Sequence, residues 1–162
     1  MVVEHLKSFC EAKILVAAGG LQRESLPDFD LEVFERAVSS TVEESLKRCG
    51  ISTSDNASTI LLVTLKKSSS GLPEGLVLIE TRVELRENAT LERKWAMTKA
   101  GLPSKVMVTT WQDSQIQVVK IDEAISTLLE MASQSSLKLA QQTYAVGSQR
   151  NGLDEECMAI SE

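Results

Sequence analysis

The chain has 162 residues, of which 43% are hydrophobic and 25% are charged, a composition that fits one globular domain with a buried core. Its formal net charge is −6 and only 4% of its residues are aromatic, so it lacks the basic surface and the stacking side chains that nucleic-acid binding requires. No apolar run approaches the roughly 18 residues of a membrane-spanning helix, and we therefore expect no transmembrane segment.

The first predicted element is a short buried strand, Lys13–Ala18, which ends at a turn formed by Gly19 and Gly20. Residues 1–12 precede this strand and are expected to be a flexible N-terminus. A Gly-Gly pair after a strand can present backbone N–H groups to an anion, but a plain turn is the interpretation that the sequence favours.

The next element is an amphipathic helix that begins after Asp28 or Asp30, because either side chain can accept hydrogen bonds from the first free backbone N–H groups. Apolar residues recur at spacings of three and four from Leu31 to Cys49, which places them on one helical face. Gly50 is well placed to end the helix.

Three strands are predicted in the middle of the chain: Thr59–Leu65, Leu76–Arg86 and Lys105–Gln112. A continuation of the second strand past Asn88 to Arg93 stays open. The second has the clearest pattern, because buried-type and charged residues alternate along it. We expect one side of this strand to face the core and the other to face water or a partner. The core side consists of Val77, Ile79, Thr81, Val83 and Leu85, and the other side of Glu80, Arg82, Glu84 and Arg86.

The last predicted element is a helix from about Ile121 to Thr143, for which Asp122 can serve as the N-cap. Ser135 and Ser136 interrupt its apolar side. Residues 146–162 carry no periodic pattern and are expected to form a disordered acidic tail.

The order of these elements predicts a single α+β domain over residues 13–145, with the topology β-α-β-β-β-α. We expect a two-layer sandwich in which two helices cover one face of a four- to five-stranded, mixed and mostly antiparallel sheet. The first strand is expected to cross over a helix and to pair beside the antiparallel strands.

Two segments carry a family resemblance: Thr90–Arg93 (Thr-Leu-Glu-Arg), after the charged strand, and Met107–Trp111 (Met-Val-Thr-Thr-Trp), before the last helix. The layout resembles a group of small, often exported bacterial proteins, largely uncharacterised, that share a Thr-Thr-Trp strand. The wider architecture is similar to that of transport-auxiliary and lipopolysaccharide-assembly lipoproteins, which are adaptors and not enzymes. The resemblance therefore implies no catalytic residues.

Residues that carry chemistry are few in this chain. The single histidine, His5, lies near the N-terminus, where no partner is placed to orient it for acid–base catalysis. The three cysteines, Cys10, Cys49 and Cys157, are far apart and odd in number, which predicts neither a disulfide framework nor a zinc site. Cys49 is expected to be a small core residue at a helix end. Because nucleophile, phosphate-loop and dinucleotide motifs are also missing, we expect no enzyme activity, no cofactor and no metal.

These observations favour a non-enzymatic interaction or assembly module that binds a protein partner, or a second copy of itself, through the charged sheet face or a free sheet edge. The candidate interaction residues are Glu80, Arg82, Glu84, Arg86, Arg93, Trp95 and Trp111. For Trp111 a core position is favoured over an interface position, whereas for Trp95 both stay open. Two alternatives stay open: a small-ligand or lipid-binding protein with a pocket between helices and sheet, and, more remotely, a carboxylate-based enzyme.

The sequence as written has no signal peptide, so a cytoplasmic location is the first expectation. A periplasmic location is expected instead if an export signal has been removed. An envelope role would fit the second case.

Overall fold

The computed structural model describes residues 10–23, 29–91 and 104–146. The strands are β1 (Glu11–Ala17), β2 (Ser52–Thr53), β3 (Ile60–Ser68), β4 (Leu76–Leu91) and β5 (Ser104–Lys120), and the helices are α1 (Leu31–Arg48) and α2 (Ala124–Val146). The strands form one mixed sheet in the order β2-β1-β3-β4-β5. The predicted α+β sandwich is confirmed, with the two-residue strand β2 added to the expected order.

The sheet has a parallel half and an antiparallel half. β1 runs parallel to both β2 and β3, and α1 lies in the connection that carries the chain from β1 across to them. β3, β4 and β5 pair antiparallel in sequence order. The two edges of the sheet differ in length, since β2 has 2 residues and β5 has 17.

Helix α1 begins and ends where the sequence predicts. Asp30 is its N-cap, and the Asp30 carboxylate accepts hydrogen bonds from the backbone N–H groups of Glu32 and Val33. At the other end Gly50 has a φ of 74°, a left-handed conformation that costs glycine little because it has no Cβ. The N–H groups of Gly50 and Ile51 then close on the last helical turn, as in a Schellman motif.

β4 alternates as predicted between a side covered by the helices and a side that is free of them. Val77, Ile79, Thr81, Val83 and Leu85 are at most 1% exposed and belong to the layer between sheet and helices. Glu80, Arg82, Glu84 and Arg86 of the same strand point to the other side of the sheet. β4 also continues to Leu91, beyond the end of its pairing with β3 at Arg86.

Three strands are longer than predicted, among them β3, which continues to Ser68 and not only to Leu65. β1 begins at Glu11 and not at Lys13, and Ala12 is fully buried. β5 continues to Lys120, although the sequence predicted its end at Gln112. The reason is an inverted pattern at the end of β5, where polar residues lie on the helix side and Ile116 and Val118 lie on the free side.

Helix α2 begins at Ala124, three residues after the predicted start, because Ile121–Glu123 form a 3-10 turn. Asp122 therefore lies within this turn and not at the N-cap position. Ser135 and Ser136, which interrupt the apolar side in the sequence, are both fully buried. α2 packs against α1, where the hydroxyl groups of Ser45 and Ser133 are 3.0 Å apart. Neither α1 nor the described part of α2 is long and apolar enough to span a membrane.

Candidate interaction surface

One face of the sheet carries both helices, and we call the opposite side the open face. Cross-strand pairing places its residues in rows that run from β1 to β5. The open face includes Lys13, Leu15 and Ala17 on β1, Ile60, Leu62, Thr64, Lys66 and Ser68 on β3, Leu76, Leu78, Glu80, Arg82, Glu84, Arg86 and Asn88 on β4, and Met107, Thr109, Gln112, Ser114, Ile116, Val118 and Lys120 on β5.

The centre of the open face is a charged ladder on β4, formed by Glu80, Arg82, Glu84 and Arg86. Each arginine makes an ion pair with the glutamate two residues before it, at 3.3 Å from Arg82 to Glu80 and at 3.3 Å from Arg86 to Glu84. The glutamate side chains are only 24% and 12% exposed, and the arginines are 41% and 42% exposed. Neighbouring strands thus cover the ladder partly from both sides, although neither α1 nor α2 lies over it.

Each arginine of the ladder has a buried N–H group without a partner. The Nε atoms of Arg82 and Arg86 are buried and have no hydrogen-bond partner among the described residues, which is unfavourable. The rest of each guanidinium group is partly exposed and can form charge-assisted hydrogen bonds with carboxylates.

Exposed apolar side chains surround this ladder. Ile116 is 64% exposed, Val118 is 47% exposed and Leu78 is 37% exposed, and these three lie next to one another at one end of the open face. At the other end of β5, Met107 is 43% exposed opposite Asn88. Contiguous apolar groups in water are typical of contact surfaces.

The outer side of β5 forms a second surface. β5 is at the end of the strand order, so along its outer side the described residues supply no pairing strand. Between Val106 and Val119 its only charged residue is Asp113, and Asp113 is turned toward α2. Lysines that normally protect long edge strands from pairing are missing from this stretch.

The Thr-Thr-Trp segment forms a β-bulge in β5. Trp111 pairs with Leu85 and Thr109 pairs with Arg86, so Thr110 is the extra residue. The Thr110 hydroxyl group donates to the Leu85 carbonyl group over 3.5 Å. Because a bulge resets the alternation of side chains, Trp111 lies on the helix side whereas Thr109 joins the open face.

Trp111 is partly buried and packs against the core on the helix side of the sheet. Its indole N–H donates a hydrogen bond of 2.8 Å to Gln142 Oε1 of α2. The candidate residues Glu80, Arg82, Glu84 and Arg86 are thus brought together on the open face, and Trp111 is on the opposite side. Arg93 and Trp95 lie outside the described residues, as do His5 and Cys157.

A polar cluster between β5 and α2 was not anticipated from the sequence. Asp113 accepts hydrogen bonds from Ser135 Oγ at 2.7 Å and from Lys138 Nζ at 2.8 Å. Ser135 in turn accepts one from Gln115 Nε2 at 2.8 Å. The only sequence signal was the pair of serines in an apolar helix face, where a buried hydroxyl group needs a partner.

The cluster changes the acidity of Asp113. Burial alone raises the pKa of this carboxyl group, but hydrogen bonds from Lys138 and Ser135 and the charge of Lys138 outweigh it, so the pKa lies below its usual value of 3.8. A similar effect acts on α1, where hydrogen bonds from Lys47 and Thr53 lower the pKa of Glu43. Both carboxylates are thus ionised and paired, as structural groups are.

The surface cavities lined by described residues include the following two. One, of about 210 Å³, lies where α1 meets β1 and β2, and its lining is polar apart from Ile14. The other, of about 520 Å³, is an open cleft beside Gly19, Gly20, Lys66 and Lys67. Neither is the apolar pocket between both helices and the sheet that a lipid would need. Within the described ranges, no group of three or more His, Cys, Asp or Glu residues could hold a metal ion.

The cysteines correct one expectation. Cys49 is fully buried at the end of α1, as predicted, but it is disulfide-bonded. Cys10 is free and exposed, and the partner of Cys49 lies outside the described residues. The prediction that the chain contains no structural disulfide is therefore wrong, because spacing in the sequence does not show which distant segments meet.

Comparison with known proteins gives no family. No family model and no curated protein matches the chain. Among solved structures it is similar to a PelC variant dodecamer from Paraburkholderia phytofirmans, with 13% identity and a TM-score of 0.45 over 83% of this chain and 88% of that one.

Two further similar structures are lipoproteins. A minor lipoprotein from Acinetobacter baumannii has 11% identity and a TM-score of 0.39 over 85% of this chain and 94% of that one. The rare lipoprotein B from Shewanella oneidensis has 14% identity and a TM-score of 0.39 over 82% and 94%. The sequence-based resemblance anticipated lipoproteins, whereas the family with a Thr-Thr-Trp strand stays a prediction. At these identities and TM-scores the likenesses assign neither a family nor a function.

Proposed function

We propose that the protein is a non-enzymatic interaction or assembly module of the bacterial cell envelope, and that it binds a partner protein along the outer side of β5. One observation carries the proposal: a strand of 17 residues ends the sheet, and the described residues leave its outer side unpaired. An extended segment of a partner can add to such an edge through backbone hydrogen bonds.

The segment after the bulge is the part of the edge best suited to pairing. From Trp111 to Lys120 it pairs regularly with β4, so every second residue presents its backbone N–H and C=O groups to the outer side. The exposed Ile116 and Val118 offer apolar contacts for alternate side chains of an added strand. Strand addition thus gains both hydrogen bonds and apolar burial.

A non-enzymatic role is supported by the state of the carboxylates. Glu80 and Glu84 are each bound to an arginine of the same strand, and Asp113 is bound to Lys138 and Ser135. A general acid–base pair needs carboxyl groups whose environments separate their pKa values within a cleft. These carboxylates lie on the open face or in the layer below α2 and not in one cleft.

An envelope location is supported by the disulfide bond at Cys49. Structural disulfides persist in oxidising compartments such as the periplasm and are rare in the cytoplasm. We therefore favour the envelope over the cytoplasmic location that the sequence as written suggested.

The edge is tested by site-specific photo-crosslinking in cells that naturally make the protein. Gln117 is exposed on the helix side of β5, at the proposed edge and away from the open face. A photoreactive residue at Gln117 is expected to give a discrete adduct with another protein. A lysine added at a neighbouring edge position is expected to reduce that adduct. Gln115→Lys is unsuitable for this purpose, because Gln115 donates a hydrogen bond to Ser135.

Gln134 supplies the matched control, because it is also an exposed glutamine but lies on the outer side of α2. The same photoreactive residue there is expected to give no discrete adduct. Equal adducts at both positions, or none at Gln117, would contradict binding along β5.

A further inference from the structure

The charged ladder of β4 is complementary to its own reverse. When the strand is read backwards, every negative charge takes the place of a positive one and every positive charge that of a negative one. Along the open face the order is Glu80, Arg82, Glu84 and Arg86. The midpoint is Val83, and each glutamate is as far from it as an arginine on the other side. The four charges sum to zero.

We propose that the open face binds the open face of a second copy, with a two-fold axis that lies between the two sheets and runs perpendicular to the strands. This rotation places β4 over β4 in opposite directions. Glu80 then lies over Arg86 of the second copy, and Arg82 lies over Glu84. All four ladder positions meet an opposite charge. The surface differs from the β5 edge, so the inference goes beyond the proposed function.

The same charges disfavour the other face-to-face arrangement. If the two-fold axis ran along the strands, β4 would lie over β4 in the same direction. Each glutamate would then meet a glutamate and each arginine an arginine, a juxtaposition that is strongly unfavourable at an interface. The charge order therefore selects the antiparallel dimer.

The exposed guanidinium groups of the ladder fit this dimer. The side chains of Arg82 and Arg86 are 41% and 42% exposed. In the antiparallel dimer these two side chains lie over Glu84 and Glu80 of the second copy, respectively. Sheets that pack face to face are about 10 Å apart, which Arg and Glu side chains can bridge from the two sides. Each glutamate would then bind two arginines, which offsets part of its desolvation.

The apolar residues fit as well. Val118 lies beside Leu78, and Met107 lies beside Asn88, at equal distances along β4 from Val83. The rotation therefore places Val118, 47% exposed, over Met107, 43% exposed. Ile116 comes to lie over Thr109 by the same rule. The dimer thus covers exposed apolar groups at both ends of the ladder.

The charge order of the ladder points to a second copy. The ladder carries two negative and two positive charges, and a row of charges whose sign order complements its own reverse is complementary to itself. Lys13 and Lys66 lie beside the ladder on the same face and add positive charge to it.

The test uses two charge-reversal variants of the full chain, measured by sedimentation velocity over a concentration series. Arg82→Glu alone places glutamates over glutamates in the homodimer, and Glu84→Arg alone places arginines over arginines. We expect the dissociation constant of either variant to rise roughly a hundredfold or more. A mixture of the two variants restores an opposite charge at all four positions, and we expect it to dimerise about as tightly as the native chain.

Recovery in the mixture also shows that both variants are folded. Glu44→Arg, a charge reversal on the exposed side of α1, is the matched control and is expected to leave the dimer unchanged. Gln117→Lys, at the β5 edge, is also expected to leave it unchanged. A native chain that stays monomeric at its highest soluble concentration overturns the inference. So does a mixture that fails to dimerise, or a dimer that only Gln117→Lys disrupts, which would assign self-association to the edge.

Discussion

At the scale of single residues, the structure depends on polar groups whose partners come from distant parts of the chain. Asp113 on β5 is the clearest case, since Ser135 and Lys138 of α2 both donate to it. Hydrogen bonds to a charged group contribute more than neutral ones, and leaving such a group buried without partners is costly. The cluster therefore fixes α2 in position on the edge strand.

We expect Asp113→Asn to lower the free energy of unfolding by about 2 kcal/mol at pH 7, because an amide binds Lys138 and Ser135 less strongly. The pKa of Asp113 is lowered by folding, so the carboxylate stabilises the fold above its unfolded-state pKa and loses this effect as the pH falls through its folded-state pKa. The difference in the free energy of unfolding between the native chain and the variant should shrink below pH 3.8. Urea unfolding over a pH series measures this difference.

Asp122→Asn is the matched control, since Asp122 is exposed in the 3-10 turn before α2. It should change the free energy of unfolding by less than about 0.5 kcal/mol. An Asp113→Asn variant as stable as this control at pH 7 would mean that the cluster contributes nothing.

At the scale of elements, local signals explain α1 better than β5. The ends of α1 follow from Asp30 and Gly50, whose side chain and backbone act on their own helix. β5 has no such signals. Its polar residues lie under α2 and its apolar Ile116 and Val118 lie on the free side. The alternation of apolar and polar residues therefore predicted an end of the strand that is too early.

For α1 we expect Asp30→Ala to lower the free energy of unfolding by about 1 kcal/mol, because two backbone N–H groups lose their acceptor. Asp30→Ser keeps an acceptor and should retain most of the stability. Thermal unfolding followed by circular dichroism compares the two. Equal losses for Ala and Ser would show that capping is not the cause.

At the scale of the whole molecule, the described strands and helices form two layers and leave one sheet face and one long edge available for contacts. Helix α1 and helix α2 both lie on the same side, and the short β2 closes only the opposite edge. The disulfide at Cys49 adds a covalent link from the end of α1 to a segment outside the described residues.

The disulfide bond at Cys49 can be tested in the intact protein. When the chain is denatured without a reducing agent and treated with iodoacetamide, Cys10 should be alkylated and Cys49 should not. After reduction both should react, and peptide mass spectrometry before reduction identifies the partner of Cys49. Alkylation of Cys49 without reduction would remove the support for an oxidising compartment.

The sequence by itself determined the α+β class, the ends of α1 and the two sides of β4, because each depends on periodicity or on capping groups that act within a few residues. It also placed the charged ladder on the side away from the helices. Only the tertiary structure decided the length of β5, the bulge at Thr110, the partners of Asp113 and the pairing of Cys49. These depend on which distant segments meet, and no local pattern specifies that.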